Sequence, residues 1–158
     1  LRVPQAPLYV LFAKIYSANA TPIAFAEVYL ALQQGTVDGQ ENPLPTILAK
    51  KFYEVQKYIP LTGHITESLV TVLGRPLLGK LSDAEKGIFA EVLAQAASKS
   101  TDAIRDSEQK LPAEFEKLGK AVTRPDREAF RKVALPAHLG PEALSYWTKE
   151  QYEALQAL

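Results

Sequence analysis

The sequence predicts an α/β protein in which helices dominate, and three observations carry that reading. Short runs rich in Val, Ile, Tyr and Thr alternate with stretches of helical periodicity. A capped stretch beginning at Ser82 is long enough to stand as one extended helix, or as two joined at Pro112. The composition, 47% hydrophobic and 23% charged, is that of a packed globular chain. At 158 residues, such a chain buries roughly two-thirds of the surface that its unfolded form exposes.

Residues 1–3 read as a short strand closed by Pro4, which has no N–H for a ladder. Pro7 suits the first position of a helix over residues 8–16, apolar on most of its circumference and therefore expected to be buried. Residues 17–22 connect, and Thr21 before Pro22 reads as a helix start. Phe25, Val28, Tyr29 and Leu32 follow at i, i+3, i+4, i+7, the spacing of an amphipathic helix that Gly35 ends. Asp38-Gly39 signals a turn, and a short helix is expected over residues 44–51. Residues 55–61 and 69–73 are strand candidates, with a loop over 75–79.

Ser82 with Glu85 has capping-box spacing. It opens a helix reaching about residue 109, with Phe89, Val92, Leu93 and Ala96 on one face. Pro112 predicts a break or kink before a further helical stretch to residue 118. Residues 121–123 form a possible short strand, and helical signals return over 125–134 and from Pro141, with Thr148 and Gln151 as a second capping pair. A helix as long as the one from Ser82 is easier to understand as a brace across a larger molecule.

Charge and composition narrow the function. Eighteen basic and eighteen acidic residues cancel, so no basic footprint points to nucleic acid. No apolar run reaches the ~18–20 residues of a membrane helix. The absence of cysteine removes disulfides, thiol nucleophiles and cysteine metal sites. Neither His64 nor His138 has a companion at metal-ligand spacing, and a lone histidine is most simply a structural or surface residue. No phosphate-cradling glycine pattern and no nucleophile elbow is present, so neither a catalytic residue nor a cofactor is assigned.

Three residues carry two readings each. Arg2, flanked by apolar strand neighbours, could present a rigid fork of donors to a carboxylate, or could sit in a structural ion pair. Asn42, in Glu41-Asn42-Pro43 where a strand gives way to a helix, offers donor and acceptor to a ligand, or caps that helix. Phe25 walls a pocket or simply begins the apolar stripe.

A longer pattern bears on these alternatives. Thr21-Pro22-Ile23-Ala24-Phe25-Ala26-Glu27-Val28-Tyr29-Leu30-Ala31-Leu32-Gln33-Gln34, then Gly35-Thr36-Val37-Asp38-Gly39-Gln40-Glu41-Asn42-Pro43, then Lys51-Phe52-Tyr53-Glu54-Val55-Gln56-Lys57-Tyr58 closely resemble the solute-binding receptors of TRAP (tripartite ATP-independent periplasmic) transporters. Leu1-Arg2-Val3-Pro4 matches the arginine strand that precedes these blocks in the family. The strong match covers about residues 1–65; beyond it the order of elements is similar and the residues are less specific.

The resemblance implies a periplasmic-binding-protein-like fold, two α/β lobes closing on a ligand and joined in part by a long inter-lobe helix, which the Ser82 helix would be. It implies a non-enzymatic receptor for a small organic carboxylate, with Arg2, Asn42, Phe25, Gln5 and Glu41 as ligand-binding residues and no metal. Gly63 stands where some relatives carry asparagine. The implied partners are the ligand and the membrane permease subunits of a TRAP transporter, with no nucleic acid, and the implied location is periplasmic. The expected layout is a cleft-bearing part of the second lobe over residues 1–67, a strand and bridging helix over 68–111, and a return to the second lobe over 112–158. Because the family carries most of a first lobe before the arginine strand, and no signal peptide is read here, the chain is expected to be the C-terminal half of a receptor, with possible self-association. A small stand-alone α/β enzyme or an interaction domain is the alternative.

Overall fold

The computed structural model describes residues 1–157. Its elements in chain order are β1 (Arg2–Val3), α1 (Pro7–Ile15), β2 (Thr21–Pro22), α2 (Val28–Gln33), α3 (Leu44–Ala49), β3 (Tyr58–Pro60), α4 (Arg75–Leu78), α5 (Asp83–Lys117), β4 (Ala121–Thr123), α6 (Arg127–His138) and α7 (Lys149–Gln156). The fold is helix-rich α/β, as the sequence predicts. Its strands form two small parallel pairs, β1 with β2 and β3 with β4. Arg2 also bridges in parallel to Gln40, so β1 lies between two neighbouring chain segments.

The main core gathers Val28, Ala31 and Leu32 of α2 with Val37, Ile47 of α3, Phe52 and Ile59 of β3. Leu111 and Phe115 at the foot of α5 complete it. Side chains three and four apart on α2 and α5 face the same way, which is why one stripe of each enters this core. Gly35 closes α2 with φ of +70°, a left-handed backbone that glycine adopts without a Cβ clash.

Several sequence expectations change here. Thr21 and Pro22 belong to β2, and the helix they were expected to open begins later, through a 3-10 turn at Phe25–Glu27. The pairing of Thr21 with Arg2 outweighs the local capping signal. The strand expected over 55–61 contracts to Tyr58–Pro60 because Phe52–Val55 form a 3-10 turn that buries Phe52. Residues 75–79, expected as a loop, contain the single turn α4, started by Pro76 at a position where its missing N–H costs nothing.

The strand expected over 69–73 is absent. Leu69, Val70 and Val72 are 91%, 81% and 81% exposed. β-propensity describes a fit to a pleated, half-covered surface, and no strand among the described residues offers one. α1 is less buried than its apolar circumference predicts, with only Leu11 and Ala13 fully covered; it packs against β1 and α6.

Pro112 does not break α5, which runs unbroken for 35 residues. Proline in a helix interior costs about 3 kcal/mol. The neighbouring Leu111 and Phe115, both essentially inaccessible, contribute about 1.5–3 kcal/mol each by burial and hold the last turns in place. The other end is fixed by the predicted capping box, with Ser82 Oγ accepting from Glu85 N–H and the Glu85 carboxylate accepting from Ser82 N–H. Between these ends Ile88, Phe89, Val92 and Ile104 stay exposed.

Candidate ligand-binding site

β1 places Arg2 at the centre of the site. Its backbone N–H donates to Gly39 O at 2.8 Å, while Thr21 N–H donates to Leu1 O and Ile23 N–H to Val3 O. The strand is thus held on both edges, and Arg2 and Val3 are both buried, Arg2 at 3% exposure. The guanidinium donates twice to one acceptor, from Nε at 3.0 Å and Nη2 at 2.8 Å to Ile23 O just beyond β2. Neither bond uses Nη1. No ion pair engages this side chain among the described residues, so the structural ion-pair reading of Arg2 is set aside.

Burial lowers the Arg2 pKa, with Glu41 and Tyr9 opposing that shift; an arginine starts so high that it remains a cation. The Phe25 ring lies 5.9 Å from Arg2 Cζ and 5.6 Å from Lys50 Nζ, so two cations share its electron-rich surroundings. Phe25 is 42% exposed and meets Phe52 edge-on at 6.0 Å. It therefore begins the apolar stripe and still presents a face outward. A cavity of about 280 Å³ lies against it, lined by Phe25, Ala26, Tyr29, Lys50 and Phe52.

Asn42 is not a helix cap. The residue in that position for α3 is Pro43, which supplies no side-chain bond. Asn42 Nδ2 instead donates to Gln40 Oε1 at 2.6 Å, and Gln40 Nε2 donates to Gln56 Oε1 at 3.2 Å. This relay leaves the Asn42 carbonyl oxygen uncommitted, two residues beyond the Arg2–Gln40 bridge. Gln5 lies exposed in the turn between β1 and α1.

Three further residues that sequence reasoning did not select as ligand-binding, His64, Tyr9 and Glu67, gather near Glu41 and Arg2. Glu41 faces His64, with Oε2 and Nε2 3.7 Å apart and both side chains largely covered. His64 stacks on Phe12 at 4.4 Å. Tyr9 donates from its hydroxyl to Glu67 Oε1 at 3.0 Å. Burial, the bond to Glu67 and the nearby carboxylates raise the Tyr9 pKa, keeping it a neutral donor. The Tyr9–Glu67 bond spans 58 residues of chain, and no local spacing could have announced it.

The cavity at Phe25 is lined by neither Arg2 nor Asn42; the buried cation, the aromatic face, the amide oxygen and the nearby carboxylates are groups able to pair with an anion and with hydroxyls. Among the described residues, no group of three His, Asp or Glu side chains is placed to hold a metal.

Comparison with known proteins places the chain further. The family model described as bacterial extracellular solute-binding protein, family 7, matches residues 1–140, and the chain belongs to that family. It is 42% identical over 138 residues to the sialic acid-binding periplasmic protein SiaP of Vibrio cholerae, covering 87% of this chain and 43% of that protein. It is 30% identical over 131 residues to the 2,3-diketo-L-gulonate-binding periplasmic protein YiaO of Escherichia coli, covering 82% and 40%. A TRAP periplasmic solute-binding protein from Polaromonas sp. JS666, bound to D-erythronate, superposes with a TM-score of 0.91 at 37% identity, covering 99% of this chain and 52% of that one. The chain thus spans about half the length of these relatives. The TRAP receptor resemblance of residues 21–58 is borne out, and with it the reading that the family binds solutes and is not enzymatic.

Proposed function

We propose that this chain carries the carboxylate-binding part of a TRAP receptor that captures a small organic acid, most simply a sugar acid, in the periplasm. The observation that carries this is Arg2, whose guanidinium is locked onto Ile23 O with Nη1 left for another acceptor. A charge-assisted fork of this kind recognises a carboxylate, and preorganisation lowers the ordering cost of binding. In this reading Phe25 forms the wall, Asn42 selects among hydroxyl patterns, Glu41 accepts from ligand hydroxyls, and Gln5 adds a further polar contact. The relatives agree with this chemistry: besides D-erythronate, L-galactonate is bound by a Roseobacter denitrificans receptor 29% identical to this chain with a TM-score of 0.84.

The same reading assigns the layout and the partners. Residues 1–67 carry the cleft and residues 112–158 return to the same lobe, a reading supported by Phe115 and Val122, which pack into the core built by residues 28–61. Residues 68–111 form the bridge. The receptor delivers its ligand to membrane permease subunits, and the uncovered apolar face of the bridge makes self-association of the chain a further expected contact.

Calorimetry with D-erythronate, L-galactonate and sialic acid, on this chain and on its Arg2→Ala variant, tests the proposal. Saturable binding of at least one acid, weakened in the variant, is expected. Equal affinity of both forms for every acid removes Arg2 from the site.

A further inference from the structure

We propose a second ligand site, for a small aromatic carboxylate, in the cavity between α6, α7, the end of α1 and residues 62–64. It encloses about 470 Å³, within the range of pockets that hold small molecules, and neither Arg2 nor Asn42 lines it. Its chemistry is concentrated on one face of α6. Arg127 and Arg131 stand one turn apart, and Ala134, Leu135 and His138 continue the same side of the helix into the cavity.

The two guanidinium groups are set rather than free. Arg127 Nη2 donates to Gly63 O at 3.1 Å, and Arg131 Nη2 donates to Gln156 Oε1 at 3.1 Å. Each uses one nitrogen on a neutral acceptor and keeps others for an anion. The acidic residue beside them, Glu128, reaches Arg131 Nη1 only at 4.0 Å, so two cations face one loosely engaged carboxylate. The same requirement for space acts at Gly63, where φ is +56° and a Cβ would stand 2.9 Å from Arg127 Nη2. His64 also lines this cavity, though its Nε2 faces Glu41 Oε2, at 3.7 Å, on the Arg2 side.

The remaining walls suit a flat ring. Tyr16 and Phe130 pack at 5.0 Å on one side, and His138 and Tyr152 meet at 5.9 Å on another. Ala134 and Leu135 supply an apolar floor. Burial also lowers the His138 pKa, so near neutrality this ring is an uncharged wall. Aromatic rings pack against such faces in offset or edge-on geometry, while a carboxylate on the ring can reach both arginines.

Benzoate is the probe, followed by amide chemical shifts of the isotopically labelled full chain. Working in Arg2→Ala separates this site from the one proposed above. Saturable shifts at Gly63, Arg127, Arg131 and Tyr152 are expected in both wild type and Arg2→Ala. Arg131→Gln, a change at a largely exposed side chain, should weaken benzoate by about tenfold or more. The Trp147 indole N–H, bonded to His138 O at 3.1 Å, reports that the variant remains folded. Acetate and benzyl alcohol, carrying only the charge or only the ring, should each bind more weakly than benzoate. Shifts that vanish in Arg2→Ala, that persist undiminished in Arg131→Gln, or that acetate reproduces at equal concentration would each overturn the proposal.

Discussion

Two of the three guanidinium nitrogens of Arg2 grip Ile23 O, so the side chain cannot swing to follow a ligand. Arg2→Ala should therefore cost about 1.5–3 kcal/mol of binding, roughly a ten- to a hundredfold loss in affinity. Arg2→Lys should recover only part of it, because a point charge lacks the planar fork; calorimetry separates the two variants. His138 sets a different expectation. Its pKa lies below the ordinary value because of burial, so on acidification through about 6.5 the unfolded chain takes up a proton first. Stability from this group is present above that pH and is lost as pH falls through the folded-state value. His138→Phe should reduce the loss of stability on going from pH 7 to pH 5, read by denaturation followed through Trp147 fluorescence. At this scale the sequence was most legible where residues are close in the chain: Arg2, Phe25 and Asn42 could be selected from motif blocks. Glu67 and His64 could not, since they reach Tyr9 and Glu41 only after the chain has folded.

α5 has a foot and a shaft with different energetics. Phe115 is fully buried in the foot, while Val92 on the shaft is 56% exposed. Phe115→Ala should cost about 3–5 kcal/mol through lost burial and the cavity left behind. Val92→Ala should stay within about 0.5 kcal/mol, as surface changes usually do. Urea denaturation of the two variants measures the contrast, and comparable losses would show that something covers the shaft. Capping boxes were readable here as sequence, at Ser82 with Glu85 and at Thr148 with Gln151, because such a bond joins residues three apart. Continuity through Pro112 was not readable. It depends on what Leu111 and Phe115 touch, which local propensity does not contain. The strand expected over 69–73 fails for the related reason that strand propensity needs a partner and names none.

Taken as a whole, the molecule covers its main core and leaves apolar side chains bare over much of residues 69–104. Leu69, Val70, Val72, Ile88 and Val92 are all exposed, and exposed apolar surface favours association. Sedimentation across roughly a hundredfold range of concentration, wide enough to bracket micromolar contacts, should show the chain moving from monomer to a larger species. Leu69→Lys with Val92→Lys should suppress the shift; a strictly monomeric wild type would remove this expectation. The chain also spans about half the length of its relatives. We expect its affinity for sugar acids to be weak, with submicromolar binding by these 158 residues counting against that reading. The α/β class and the order of elements were legible from alternating periodicity. How much surface stays bare was not, because periodicity marks an apolar face without saying what meets it.

A helix packed at only one end is also a lever. At 1.5 Å per residue, the stretch from Asp83 to Leu111 is about 42 Å long, so a tilt of about 5° at the foot carries its tip about 4 Å. Pro112 sits at the fulcrum, where one backbone bond is missing and bending is cheapest. Small adjustments around Leu111 and Phe115, in the core that also holds the segment leading into Asn42, are thereby multiplied into displacements large enough to measure between two spin labels.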